Sequence, residues 1–160
     1  MYLLDANTYI HAKNLYYSFD FCPAYWDWLD KECAVGKLAS IDMVANELIA
    51  GDDELVTWVK DRPGHFLRCD DAETQSLVGA IAQDLMQGHY NQQNRDDFLA
   101  GADPWIIAKA KVIGATVVSH ESRITQQGKK VKVPNVCQQY GVECISTFEL
   151  LRKLKARFTL

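Results

Sequence analysis

The chain has 160 residues, 48% of them apolar, and a formal net charge of −4, enough for one domain over residues 1–160 with a sizeable core. No run approaches the roughly 18 uninterrupted apolar residues of a membrane span, and the amino terminus lacks the charged and apolar regions of an export signal. Five scattered cysteines without a Cys-x-x-Cys pair argue against a zinc knuckle or a disulfide framework, so a reduced, cytoplasmic setting is expected.

Short strand signals alternate with longer helical ones, which favours a layered α/β domain. Tyr2–Leu4 reads as the first strand. Pro23–Cys33, with Tyr25, Trp26, Trp28 and Leu29, presents a helix-compatible face. Lys37–Ile41 is a second strand, after which Asp42 caps a helix reaching Ile49. Asp53–Lys60 makes another helix with Leu55, Val56 and Val59 inward. Pro63-Gly64 breaks the chain, and His65–Cys69 is a candidate strand. Asp70-Asp71-Ala72-Glu73 resembles a capping arrangement before Leu77, Ile81 and Leu85, an amphipathic helix by spacing. Gly88–Asp97 is polar and reads as an exposed loop. Asp103-Pro104 opens a strongly apolar helix, with Asp103 suited to its N-cap, and Gly114 stops it. Ala115–Val118 is the clearest buried strand and ends in Ser119-His120-Glu121. Val142–Ile145 is a last strand, and Ser146-Thr147-Phe148-Glu149 is a capping box before the terminal helix.

Charge is unevenly spread. Residues 1–104 carry 7 Lys and Arg against 18 Asp and Glu, whereas residues 105–160 carry 10 against 3. The basic residues gather at Lys129, Lys130 and Lys132 and at Arg152, Lys153, Lys155 and Arg157. A polyanion or an oppositely charged protein fits this split, as do a solvated loop and a helix end complementing its dipole.

Four acids stand at the mouths of apolar runs: Asp5, Glu47, Asp103 and Glu121. Ordinary roles exist for three of them: a helix cap for Asp103, a solvated side chain for Glu47, a loop residue for Glu121. Asp5 is harder to dismiss. It follows a short apolar strand directly, and a buried charge needs partners. In a parallel sheet Asp5 and Glu121 leave the same edge, where open α/β sheets bind ligands. The helix opened by Asp103 starts at that edge because crossover helices begin there and run back. Glu47 can join from a neighbouring helix. Two carboxylates ~5 Å apart repel by about 3 kcal/mol at an effective dielectric of ~20. Four together therefore take up protons or recruit a cation. All-oxygen ligands favour Mg²⁺ or Mn²⁺ over zinc or copper, and such an ion keeps waters suited to attack on a phosphodiester.

At these residues the chain resembles the PIN-domain ribonucleases, close to the VapC-like toxins of bacterial toxin–antitoxin pairs. The landmarks are Leu3-Leu4-Asp5-Ala6-Asn7, Val44-Ala45-Asn46-Glu47-Leu48, Ala102-Asp103-Pro104-Trp105-Ile106-Ile107-Ala108 and Ala115-Thr116-Val117-Val118-Ser119-His120-Glu121. Each alone is weak; four in this order and spacing are fairly specific. The stretch Val133-Pro134-Asn135-Val136-Cys137 resembles a subgroup of PIN-like proteins. The resemblance implies a three-layer α/β/α sandwich around a parallel sheet. It also implies an Mg²⁺- or Mn²⁺-dependent endoribonuclease that leaves a 5′-phosphate. Asp5 and Asp103 would be the principal metal ligands, and Glu47 a third acid acting directly or through water. Glu121 stands where the family usually has aspartate two residues after a small hydroxyl residue, here Ser119, and is one methylene longer. Asn7 and Ser119 would orient ligands or water, Asn135 would contact the site, and a homodimer and an antitoxin partner are implied.

Lys129, Lys130 and Lys132 are candidates to hold the RNA backbone, since phosphate contacts supply most nonspecific affinity. Alternation along Val117–Glu121 puts His120 on the side opposite Ser119 and Glu121, which gives it a structural or surface role. His11, His65 and His89 show no ligand spacing. Trp26, Trp28, Tyr16 and Tyr17 can stack bases, but core packing or a partner interface is the reading adopted. Two rival functions remain. An aspartyl-phosphate phosphohydrolase also puts Asp after its first strand, but it usually has a second Asp where this chain has Asn7. A non-catalytic PIN-like domain would bind RNA or protein without needing four acids.

Overall fold

Leu3, Leu4, Leu38, Ile41, Val117 and Val118 are fully buried, and all six lie on the three central strands of one sheet. Strands apolar on both faces belong to parallel sheets covered on both sides. The protein is described by a computed structural model covering residues 1–121 and 130–160. Its strands are β1 (Tyr2–Leu4), β2 (Leu38–Ile41), β3 (Phe66–Leu67), β4 (Thr116–Val118) and β5 (Cys144–Ile145). Their order is β3-β2-β1-β4-β5, and every pairing is parallel. Leu4 faces Val118 in register, so β1 and β4 end level with each other.

The described helices are α1 (Ala6–His11), α2 (Pro23–Ala34), α3 (Asp42–Ile49), α4 (Glu54–Lys60), α5 (Ala72–Met86), α6 (Gln92–Ala100), α7 (Asp103–Ile113), α8 (Val133–Gln139) and α9 (Thr147–Lys153). They cover the sheet to give the expected α/β/α layering. A π-helical turn, Ala12–Tyr16, continues α1. Asp53 and Asp71 cap α4 and α5 by accepting from Leu55 and Thr74 N–H groups. Gly114 ends α7 in the left-handed conformation at φ 72°, and Ser146 and Glu149 make both bonds of the capping box before α9. Among the described residues no helix is long and apolar enough to cross a membrane.

Two local expectations are corrected. Asp42 is the first residue of α3 and not its cap. Ile41 takes the extended cap position, while the Asp42 carboxylate accepts from Cys69 N–H at 3.3 Å. Gly88–Asp97 is not a loop throughout, because α6 begins inside it. Asn91 caps that helix by accepting from Asn94 N–H at 2.8 Å, Gln93 donates to Asp97 one turn on, and buried Phe98 anchors the far end. A cap, an i,i+4 pair and one anchor sustain a helix with almost no apolar stripe.

Most of the aromatic residues belong to the core. Tyr9, Tyr25 and Trp26 are 0–3% exposed, Phe19 stacks on Trp26 at 4.1 Å, and Tyr17 stacks on Tyr25 at 4.4 Å. Core packing therefore explains Trp26 and Tyr17, while Tyr16 stays 44% exposed.

Candidate metal centre

The strand order reverses between β1 and β4, and the crevice beyond the carboxyl ends at such a reversal is where open α/β sheets bind ligands. Asp5 leaves β1 at this point and Ser119 leaves β4. Main-chain bonds fix both: Asp5 N–H donates to the Val118 carbonyl at 3.0 Å, and Ser119 N–H to the Ile145 carbonyl at 2.9 Å. Asp5 is 2% exposed. Its Oδ1 accepts from Thr8 N–H at 2.9 Å and from the Thr8 hydroxyl at 2.7 Å, capping α1. Burial raises the Asp5 pKa, while hydrogen bonds from Thr8 and Ser119 work against that rise.

Asp103 is the first residue of α7 rather than the cap expected from Asp-Pro. Ala102 holds the cap position without a side-chain oxygen. Its N–H is met from another helix, by Glu47 Oε1 on α3 at 2.7 Å. Gly101 makes room for this bond, since a Cβ there would lie 2.9 Å from the same oxygen. The half-buried Asp103 carboxyl is pushed up to about 7, first by burial and then by the charges of Asp5, Glu121 and Glu47. All four acids thus share one electrostatic neighbourhood.

Glu121 completes a pattern. Its N–H donates to Ser119 Oγ at 3.2 Å, and its Oε2 accepts from Val133 N–H, at the start of α8, at 2.8 Å. Asp5, Glu47 and Glu121 therefore each accept a main-chain N–H at the start of a helix, and Asp103 begins one. Unpaired N–H groups and the positive end of the helix dipole temper the crowding of negative charge. Among the described residues no three His, Cys, Asp or Glu side chains converge as a finished ligand set. The acids are neighbours, three of them tied back by one oxygen. What they offer is hard oxygen, which suits Mg²⁺ or Mn²⁺. Buried Cys137 senses Asp5 and Asp103, but its thiol is pushed far up by its hydrogen bond with Cys144 and by burial, so it supplies no thiolate.

Two clefts border the acids. One, of about 250 Å³, is lined by Asp103, Asn94, Asp97, Phe98, Lys130 and Val131. The other, of about 540 Å³, is lined in part by Ser119, His120, Glu121, Cys144 and Glu149. Lys130 thus shares a cleft with Asp103. Lys132 takes the cap position of α8 and is half-buried, and Lys129 lies outside the described residues. Asn7 is exposed on the first turn of α1, and Asn135 is half-buried on α8.

His120 differs from its expected placement. Alternation stops where β4 ends at Val118, so His120 lines the same cleft as Ser119 and Glu121. His65 is a core residue. Its Nε2 lies 2.7 Å from the Tyr9 hydroxyl, and burial lowers its pKa to about 4. The Thr8 hydroxyl was readable beside Asp5 at the strand's end, but its bond to that carboxylate was not drawn from the sequence, and Gly101 was missed because its role exists only once Glu47 is in place.

A family model described as "Domain of unknown function (DUF4411)" matches residues 2–158. No curated protein matches the sequence. Among solved structures, a chain from the crystal structure of VapBC2 from Rickettsia felis, bound to a DNA fragment from their promoter, aligns with a TM-score of 0.56 at 14% identity. The alignment covers 91% of this chain and 97% of that one. At that identity the likeness shows the fold, and the fold is PIN-like. Matched over nearly its whole length, the chain belongs to the DUF4411 family of domains of unknown function.

Proposed function

We propose that the protein is an Mg²⁺- or Mn²⁺-dependent endoribonuclease, the toxin of a two-component module. One observation carries the reading: a half-buried Asp103 carboxyl pushed up to about 7 by burial and by Asp5, Glu121 and Glu47. Such a group is only about half ionised at neutral pH, and a divalent cation bound beside it would favour the charged form. Asp5 and Asp103 would hold the ion, with Glu47 and Glu121 as the flanking acids. Bound there, a divalent ion supplies Lewis acidity and a water of lowered pKa for phosphodiester hydrolysis. Thr8 and Ser119 hold the Asp5 carboxylate in place. Lys130, in the Asp103 cleft, meets a phosphate of the strand, with Lys129 and Lys132 alongside it in sequence. Asn7 and Asn135 serve the site's edge.

The test is RNA cleavage by purified protein. Mg²⁺ is expected to support cleavage and EDTA to stop it, and Asp5→Asn or Asp103→Asn is expected to lower the rate at least about 100-fold. Equal cleavage in EDTA and Mg²⁺ would sink the proposal. The toxin reading draws on the two-protein VapBC2 assembly of the structural relative. It implies a cytoplasmic protein, a homodimer and a cognate antitoxin. Expression of wild type should arrest growth, and Asp5→Asn should relieve it.

One observation favours a non-catalytic domain instead: Glu47 and Glu121 already serve the starts of α7 and α8, and no finished ligand set is formed among the described residues. Calorimetric titration with Mn²⁺ separates the readings, because a scaffold of that kind takes up no ion at Asp103.

A further inference from the structure

Three rings form a wall beside the acids. The Tyr16 ring lies 6.0 Å from that of His120 and 5.5 Å from that of Phe148. Tyr16 and Phe148 are 44% and 39% exposed, in a molecule whose other aromatic residues mostly pack inward. Rings left open side by side next to a crevice of acids offer a surface on which a flat ligand can bind.

Each ring is presented by a different device. Tyr16 ends the π-helical turn Ala12–Tyr16. Such insertions are poor helix geometry and recur at functional sites. Here the chain leaves the turn with Tyr17 directed inward onto Tyr25 and Tyr16 outward. Phe148 stands on the exposed side of α9, inside the first turn that the capping box secures. His120 is braced edge-on by His11 at 4.2 Å.

The wall joins the acid neighbourhood on two sides. His120 lines the 540 Å³ cleft with Ser119 and Glu121. A small notch among the three rings is bordered by Thr8, whose hydroxyl bonds Asp5. From Phe148 the exposed side of α9 and the residues after it continue through Arg152, Lys153, Lys155 and Arg157. Planar rings next to cations, and next to acids suited to a divalent ion, complement a ligand carrying both flat bases and phosphates. Every base has a face to stack, so such a wall accepts unpaired nucleotides generally.

We propose that Tyr16, His120 and Phe148 are the stacking site for an unpaired nucleobase flanking the scissile phosphate of a single-stranded RNA. The proposal rests on the nuclease reading for its substrate. It is tested by binding, with cleavage measured separately. Fluorescence anisotropy with an unstructured, labelled RNA oligonucleotide in Ca²⁺, its intactness checked on a gel, gives the affinity. Tyr16→Ala and Phe148→Ala are each expected to weaken binding about tenfold, and Tyr16→Phe to retain it. An oligonucleotide carrying an abasic residue next to the cut position should bind wild type about tenfold more weakly than the intact strand, yet bind Tyr16→Ala no more weakly than the intact strand does.

Wild-type affinity in both alanine variants overturns the stacking site, and the nuclease reading stands if those variants still cleave in Mg²⁺. Binding that depends on Tyr16 without any cleavage upholds the stacking site and removes the nuclease. Failure of wild type to bind the strand, or equal loss on intact and abasic strands, also overturns the proposal, the face then being one for a protein segment.

Discussion

Asp103 titrates at about 7 in the folded protein against an ordinary 3.8, with burial the first cause and the other three acids the next. A folded-state pKa above the unfolded one means that the native protein holds the proton more tightly. Its stability therefore falls as pH rises from 3.8 to about 7, and the penalty is complete above that interval. Asp103→Asn keeps the shape and removes the charge. Its melting temperature is expected to exceed that of wild type by about 3 °C or more at pH 8, roughly 1 kcal/mol at a half-buried and partly screened site. The excess should shrink toward pH 5. Millimolar Mg²⁺ should raise the wild-type value at pH 8 and leave the variant unmoved. Equal excess at both pH values in calorimetric scans would show that Asp103 bears no such burden. The acids themselves were legible in the sequence, because each ends or opens an apolar run. Their supports were not. Glu47 serving the Ala102 N–H crosses from α3 to α7, and Gly101 matters only because Glu47 Oε1 stands where its Cβ would be.

The helices α7 and α8 begin beside the acids, and in each a side chain from another segment helps secure that beginning. Glu121 reaches Val133 N–H at 2.8 Å, although the two are 12 residues apart. Lys132, at the cap position itself, makes no side-chain cap bond. With only seven residues, α8 has little stability of its own, and its first N–H leans on Glu121 while the Lys132 carbonyl accepts from Asn135 and Val136. Glu121→Ala is expected to raise the exchange rate of the Val133 amide about tenfold, while Glu121→Gln, which keeps an acceptor, should raise it little. Unchanged protection in Glu121→Ala, measured by hydrogen exchange, would remove Glu121 from that role. The same logic explains what the sequence hid at this scale. Local caps such as Asp53, Asp71 and Ser146 lie within three residues of the N–H they serve and were readable. Non-local ones were not. The Asp-Pro signal at Asp103 pointed to a self-contained cap, and the tertiary partner Glu47 took that place. For α6, apolar periodicity was the wrong detector, since Asn91, the Gln93–Asp97 pair and Phe98 hold a helix whose remaining surface is polar.

Across the whole molecule, the reversal of strand order and the division of charge meet at one crevice. The order β3-β2-β1-β4-β5 puts the ends of β1 and β4 side by side, and the acids gather there. Lys130 lines the Asp103 cleft, and Arg152 follows Phe148 one turn on along α9. Parallel strands were inferable from short, uniformly apolar runs between helices, but the order of those strands depends on which crossovers pack together, which one sequence does not state. On the proposed function, a strand of RNA held along these cations would meet two kinds of contact, and salt separates them. Phosphate contacts release counterions, with a slope of log affinity against log salt of about −0.7 per contact on single strands. Stacking releases none. Lys130→Ala is therefore expected to weaken binding evenly across RNA sequences and to flatten the slope by about 0.7. Tyr16→Ala is expected to weaken binding by a similar factor and leave the slope unchanged. Anisotropy titrations at several KCl concentrations give both numbers. A slope unmoved by Lys130→Ala removes that residue from the phosphate path, and a slope flattened by Tyr16→Ala means that the ring positions a cation instead of a base.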